Sequence, residues 1–241
     1  MSKPLHDPRQ NGILAALPEP DYQRLLPNLE LIEMPLGWTI SESGDHVKYL
    51  LFPTSGIVSL IYDLEDGSSS EIAIVGNEGM IGISIYMGGE SMPSSTEIQC
   101  PGYAYRLSRK ILKQEFALGG HLQRIALLYT QALISQTSQT AVCNQHHVLE
   151  QQLCRWLLMS ADRLHDNNVV ITQALIGKLL GVRRESVNDT ARKLQSDELI
   201  SYVRGRITIL DRPGLEKRVC ECYAAVTAEY ERLLPPPHAG K

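Results

Sequence analysis

The stretch TQALIGKLLGVRRESVNDTARKL, Thr172 to Leu194, decides how the chain is read. Leu175, Ile176, Leu179 and Leu180 recur at helical spacing, Gly181 breaks the run, and Val187, Ala191 and Leu194 mark one face of a second helix. Gly181 tolerates the left-handed backbone that a helix–helix corner requires. Gly177 has no side chain, so a second helix can cross close to it. The second helix opens on Arg183, Arg184, Glu185 and Ser186, groups suited to base edges and phosphates. Two short helices joined by such a turn form a helix-turn-helix, whose second helix enters the DNA major groove.

Downstream, Tyr202-Val-Arg-Gly-Arg-Ile-Thr-Ile-Leu reads as a hairpin with Gly205 at its tip. After a helix-turn-helix such a hairpin is a wing, and Arg204 and Arg206 are placed for phosphate or the minor groove. One last amphipathic helix is expected over Pro213–Leu234, then a tail at 235–241. Upstream, Val169–Ile171 reads as a short strand and Asp166-Asn167-Asn168 as a polar hinge, which bounds a DNA-binding domain at 166–234. Charge follows the same division. Residues 1–164 hold 11 Lys+Arg and 17 Asp+Glu, whereas 165–218 hold 10 and 7, so only the C-terminal part has the sign that phosphate contacts need.

Residues 1–10 read as a tail, and Ile13, Leu14, Leu17, Leu25 and Leu26 suggest short helices broken at Pro18 and Pro20. From Leu29 to about Leu107, short alternating runs are cornered by glycines, the pattern of a compact β-sandwich or roll, with Asp66-Gly67 as a hairpin turn. A sensor domain is placed at 11–118 and connecting helices at 119–165. Within the latter, His121 to about Gln145 is one long helix without Gly or Pro. Leu122, Ile125, Tyr129, Ala132, Gln136, Gln139 and Cys143 alternate by three and four residues, a heptad seam apolar at its start and polar at its end. Such a stripe must pack on its own domain, on a partner helix, or on both. A homodimer seam is the expectation, with Gln136 and Gln139 as an adjustable polar stretch.

No run approaches the roughly 20 apolar residues of a membrane span. The opening MSKPLHDPRQ has no apolar signal core, and the five cysteines lack disulfide-framework spacing, so a cytoplasmic location is expected. No phosphate-binding glycine loop or nucleophile elbow occurs, so no enzyme is expected. Cys143, His147 and Cys154 have metal-ligand types on one side of a helix, but a structural His beside buried Cys is the expectation, and no metal is assigned. Cys220-x-Cys222 is weaker still, since i, i+2 side chains on a helix point apart.

A β-domain, a long helix and a winged helix-turn-helix in that order resemble the cyclic-AMP receptor/fumarate-nitrate regulator (CRP/FNR) family of bacterial transcription factors. Thr172, Ile176, Gly177, Gly181, Arg184, Glu185, Ser186, Val187 and Leu194 carry the resemblance, with the Leu199–Asp211 wing; YLLFPTSGIVSL and VGNEGMIG carry it more loosely. It implies an α+β chain: an N-terminal β-roll of the cyclic-nucleotide-binding jelly-roll type, a dimerisation helix and a C-terminal winged head. It further implies a homodimer on a near-palindromic operator, with RNA polymerase as a partner. Arg184 then reads guanine and Glu185 accepts from a cytosine amino group. Thr172 and Gln173 meet phosphate, and Ser186, Asn188 and Arg192 make further contacts. The family's second basic reader is Asp189 here, so a different half-site is expected, with Arg183 as compensation.

The family's cyclic-nucleotide elements are absent from the matching positions. Ile83 stands where a ribose-binding glutamate belongs, and Pro93-Ser94-Ser95-Thr96 has no arginine for a cyclic phosphate, so cAMP and cGMP are not expected ligands. No cysteine precedes Cys100, which argues against an oxygen-sensing iron–sulfur cluster. His46, Met80, Met87 and Cys100 have haem-ligand types only, and packing roles are expected of them. An effector of unknown identity remains open. The alternative function is a small-molecule or redox sensor whose winged helix contacts protein rather than DNA.

Overall fold

A buried asparagine fixes where the N-terminal segment meets the rest of the chain. The computed structural model describes residues 6–234. Asn11 Oδ1 accepts from the backbone N–H groups of Ile13 and Leu14 at 3.0 and 3.2 Å, capping α1 (Gly12–Ala15). Its Nδ2 donates to the Pro53 and Gly79 carbonyls, both at 2.8 Å. Helix α2 (Glu19–Leu25) follows beyond Pro18. Residues 6–10 are not a loose tail: Asp7 and Gln10 form a capping box around a 3-10 turn, and the Arg9 guanidinium lies 4.0 Å over the Tyr22 ring. The tail expected at 235–241 lies outside the described residues.

Strands β1 (Glu30–Met34), β2 (Thr39–Ser41), β3 (Tyr49–Pro53), β4 (Ile57–Asp63) and β5 (Ser69–Val75) precede a short helix, α3 (Ser84–Met87). With β6 (Ser95–Cys100) and β7 (Gly102–Ser108) they form two antiparallel sheets, ordered β1-β7-β3 and β2-β6-β4-β5. The Asp66-Gly67 turn joins β4 to β5 with Gly67 at φ 83°. Met34, Leu50, Phe52, Val58, Val75, Ile98 and Leu107 share one buried apolar core. Ser108 then caps α4 (Arg109–Ala117), and Gly119 breaks the chain before α5 (His121–His146) and α6 (Leu149–Leu164).

The head comprises β8 (Asn168–Val170), α7 (Gln173–Leu180), α8 (Arg184–Ser196), β9 (Ile200–Val203) and β10 (Arg206–Ile209), its sheet ordered β8-β10-β9. Its core is continuous with the outside of the roll: Ile57, Ile61, Ile74 and Cys100 cluster with Trp156, Leu157, Ile176 and Leu179. The single last helix expected over Pro213–Leu234 is instead two, α9 (Arg212–Arg218) and α10 (Cys222–Leu233), because Val219 turns extended at φ −69°, ψ 152°. β-branched Val and Cys are poor helix formers, and this break places two thiols side by side. Among the described residues no helix is long and apolar enough to cross a membrane.

Beyond the break, α10 packs on the long helix. The stripe expected to meet a second copy is covered by its own chain. Leu122, Ile125 and Tyr129 enter the roll core, and Ala132 is fully buried. Gln136 Nε2 donates to the Ile74 carbonyl at 3.2 Å and to Tyr230 Oη of α10 at 2.9 Å. Gln139 Nε2 donates to Cys222 Sγ at 3.0 Å, and Cys143 is buried beside Cys220. Six of these seven residues are therefore buried within the single chain, and Gln139 is half-buried. The open face of α5 is a second three-four stripe, with Leu127, Ile134 and Ala141 one heptad apart and Gln131 and Ser138 between them.

Helix α6 meets the roll through the shared apolar cluster, the Arg163–Glu78 ion pair and one buried carboxyl, Glu71. Glu71 accepts from Trp156 Nε1 at 3.1 Å and contacts Ser59 Oγ at 2.5 Å. Ser59 Oγ also meets Gln99 Oε1 at 2.6 Å, so one hydroxyl proton faces two acceptors. Turning over the Gln99 amide, whose Nε2 is buried without a partner, lets it donate to Ser59 while Ser59 donates to Glu71, and a proton on Glu71 that donates to Ser59 resolves the conflict equally. Burial favours the proton, pushing Glu71 up to about 7 against the hydrogen bonds from Ser59 and Trp156 and the charges of Arg155 and Arg163. A carboxyl raised on folding stabilises fully below its unfolded value, and that contribution is lost as pH rises through about 7. In calorimetry, Glu71→Gln should match the parent near pH 5 and melt roughly 5 °C higher at pH 8. Equal shifts at both pH values would exclude Glu71 as the titrating group.

Candidate nucleic-acid interface

Thr172 Oγ1 accepts from the Leu175 N–H at 3.2 Å and so starts α7. Gly181 ends it at φ 66°, and a Cβ on Gly177 would lie 2.9 Å from the Val182 carbonyl, so the tight corner requires glycine at both positions. Val187, Ala191 and Leu194 bury one face of α8 against Ile176 and Leu179. The opposite face carries Arg184, Glu185, Ser186, Asp189 and Arg192, all exposed, with Arg183 at the helix start. In the wing, Arg204 and Gly205 take φ 49° and 76°, two left-handed residues in succession, as a type I′ hairpin turn needs.

One cleft gathers Thr172, Gln173, Arg184, Tyr202, Arg204 and Gly205, so the first helix, the second helix and the wing tip share a surface. Tyr202 joins the site without having been expected there. Its hydroxyl donates to the Ile171 carbonyl at 3.1 Å, and burial pushes its pKa up. Its place in the wing sequence was the available signal. Gln173 and Asn188, expected as free contacts, bind each other: Gln173 Nε2 donates to Asn188 Oδ1 at 3.1 Å, tying the two helices together. Arg183, Glu185, Ser186, Arg192 and Arg206 lie outside the cleft lining but remain exposed.

Apart from Lys217 of α9, which is exposed and enters no ion pair among the described residues, the lysines and arginines between Asp166 and Val219 fall into two sets. Lys178 is held by Glu97 at 2.9 Å, Lys193 and Arg218 by Glu150 at 2.5 and 3.0 Å, and Arg212 by Asp162 at 2.6 Å. Arg183, Arg184, Arg192, Arg204 and Arg206 are exposed and enter no ion pair among the described residues. Five unneutralised guanidinium groups on one small head make a positive surface. The α8 N-terminus adds to it, because Arg183 provides no side-chain cap for the first-turn N–H groups.

Two family models match the chain, the cyclic nucleotide-binding domain over residues 31–117 and the Crp-like helix-turn-helix domain over residues 151–218. The chain belongs to the CRP/FNR family. Solved structures agree on the fold. A putative CRP/FNR regulator from Eubacterium rectale is 19% identical, with TM-score 0.68 over 86% of this chain and 97% of that one. FixK2 from Bradyrhizobium japonicum is 15% identical, with TM-score 0.70 over 80% and 98%. The c-di-GMP-responsive global regulator CLP from Xanthomonas campestris is 16% identical, with TM-score 0.65 over 80% and 100%. No curated protein sequence matches the chain significantly.

The CRP/FNR-type roll holds a cavity of about 450 Å³, lined by Tyr49, Leu60, Met80, Ile83, Met92 and Thr96 among others, and closed by Thr130, Leu133, Ile134 and Thr137 of α5. Among the described residues no Arg, Lys, Asp or Glu lines it. Ile83 presents a side chain to this space, at the position where a cyclic-nucleotide site needs a carboxylate. Of the haem-type residues, Met80 and Met87 line the cavity, whereas His46 and Cys100 do not. Cys143 and His147 do meet further metal-type residues, but these are Cys220 and Cys222 rather than Cys154, which packs in the core of the head.

Proposed function

We propose that the chain is a sequence-specific DNA-binding transcription regulator that acts as a homodimer on a near-palindromic operator. The observation that carries this reading is the distribution of charge in the head: Lys178, Lys193, Arg212 and Arg218 are neutralised by carboxylates, and the five arginines of the second helix and wing are not. Arg184 reads a base edge, Glu185 accepts from a neighbouring base, and Arg204 and Arg206 hold backbone phosphate. The two copies meet along Leu127, Ile134 and Ala141 of α5. The five cysteines, all free and buried, suit a reducing cytoplasm.

The effector is an uncharged, largely apolar molecule rather than a cyclic nucleotide, because the described lining of the roll cavity offers hydroxyl groups but no cation for a phosphodiester. Ile134 lines that cavity and also stands on the open face of α5, so occupancy of the roll bears directly on the proposed seam. Binding to selected DNA fragments across a salt series tests the function. With roughly 6–10 phosphate contacts per dimer, affinity should fall about a thousandfold or more between ~50 and ~200 mM salt. A flat salt dependence would instead favour a winged head that contacts protein.

A further inference from the structure

The end of the long helix and the break between the last two helices bring together four side chains that neither DNA binding nor the roll uses. Cys143 stands in the last turn of α5, His147 directly follows that helix, and Cys220 and Cys222 flank the break before α10. Their ligand atoms all lie within 4.8 Å of one another. Cys143 Sγ is 3.6 Å from Cys220 Sγ, and Cys222 Sγ is 3.4 Å from His147 Nδ1. We propose that these four residues bind one zinc ion as a tetrahedral three-cysteine, one-histidine site that clamps α10 onto the long helix.

The distances select a single ion. With Zn–S near 2.3 Å and Zn–N near 2.0–2.1 Å, a tetrahedron has sulfur–sulfur edges of about 3.8 Å and sulfur–nitrogen edges of about 3.5 Å. The observed 3.6 and 3.4 Å fit those edges. An iron–sulfur cluster divides four ligands over two or more irons and so separates some of them by more than the 4.8 Å that bounds every pair here. A soft thiolate set with one imidazole is also the donor chemistry that suits zinc.

The surroundings complete the site. His147 Nε2 is 3.3 Å from Glu221 Oε2, so a carboxylate orients the ring with Nδ1 toward the sulfurs, as the outer partner of a metal-bound histidine does. Gln139 Nε2 donates to Cys222 Sγ at 3.0 Å, an interaction that strengthens on a thiolate. Arg155 is buried, its Nε is without a hydrogen-bond partner, and no carboxylate pairs with it among the described residues. Its Nη2 donates to Thr140 Oγ1 at 2.9 Å, one helical turn before Cys143. Three thiolates around a dication carry a net charge of −1, which adds to the more distant carboxyl of Glu71 in balancing Arg155.

Zinc here would hold the break that ends α9 against the C-terminal end of α5. It thereby keeps α10 over the stripe containing Gln136 and Gln139, leaving the Leu127–Ile134 face as the open one. Release of the ion frees the C-terminal helix from the long helix.

Elemental analysis of the full chain, expressed without a histidine tag in zinc-supplemented medium, should find one zinc per chain. After chelation, titration with Co(II) should give the intense visible bands of a tetrahedral thiolate site, saturating at one equivalent. Cys222→Ser and Cys220→Ser should each lower bound metal at least tenfold, and Cys154→Ser, outside the cluster, should leave it unchanged. If the cluster variants do not fold, the wild-type cobalt spectrum decides. Acid-labile sulfide, a cobalt spectrum without thiolate character, full metal content in Cys222→Ser, or metal-free protein with five thiols titrating would each overturn the site.

Discussion

Ile134→Glu is expected to convert the proposed dimer into monomers and to lower operator affinity by more than a hundredfold. Ile134 is 56% exposed in the single chain, so the change removes little of the chain's own packing, and each subunit should melt near the parent temperature. Across a two-fold axis the glutamates of both copies approach the same seam. Desolvating a charge without a partner costs several kcal/mol, and each ~1.4 kcal/mol is tenfold in the dimer constant. A monomer also engages one half-site at a time and forgoes the roughly 10²–10⁴-fold gain of linked binding. Since Ile134 also lines the roll cavity, Leu127→Glu serves as the companion variant: it is 55% exposed and does not line that cavity. Sedimentation at micromolar concentration reads both. A wild-type monomer, or a dimer that survives both substitutions, defeats the seam. Ala132→Glu, on the covered stripe, should instead unfold the chain, because Ala132 has no exposed surface.

That contrast marks what the sequence could and could not reveal. Gly181, Asp66-Gly67 and Arg204-Gly205 announced their turns because each needs a backbone that few residues adopt, and the structure gives all three glycines positive φ. The arginines of α8 were legible as a local cluster on an unpacked helix face. The long helix has two stripes at three-four spacing, and heptad counting cannot tell which one its own chain covers. The cover depends on α10, whose start follows a break marked by neither glycine nor proline. The same break joins Cys220 and Cys222 to a cysteine and a histidine more than seventy residues earlier, a closure that no local pattern records. Gln173 and Asn188 looked free for the same reason: their mutual hydrogen bond exists only once the two helices are packed.

Arg184→Ala should reduce the preference for the operator over scrambled DNA by about tenfold to a hundredfold per half-site, the roughly 1–3 kcal/mol that a bidentate arginine–guanine pair contributes. Folding should be unaffected, since Arg184 is exposed and forms no ion pair among the described residues, and the fixing of α8 rests on Val187, Ala191 and Leu194. Non-specific binding should change little, which separates base reading from phosphate holding. Arg204→Ala, at the wing tip, should do the opposite: it should weaken all sequences alike and lower the salt slope by about 0.9 for each phosphate left unneutralised. Competition of the selected site against scrambled DNA, repeated across a salt series, distinguishes the two effects. If Arg184→Ala and Arg204→Ala prove indistinguishable in that series, the second helix is not reading bases. Asp189 makes the comparison sharper. It shares the exposed face of α8 with Arg184 and Arg192 and can accept but not donate once ionised. The selected half-site should therefore present a base amino group near it, and Asp189→Asn should relax the preference at that one position while leaving the guanine opposite Arg184 in place.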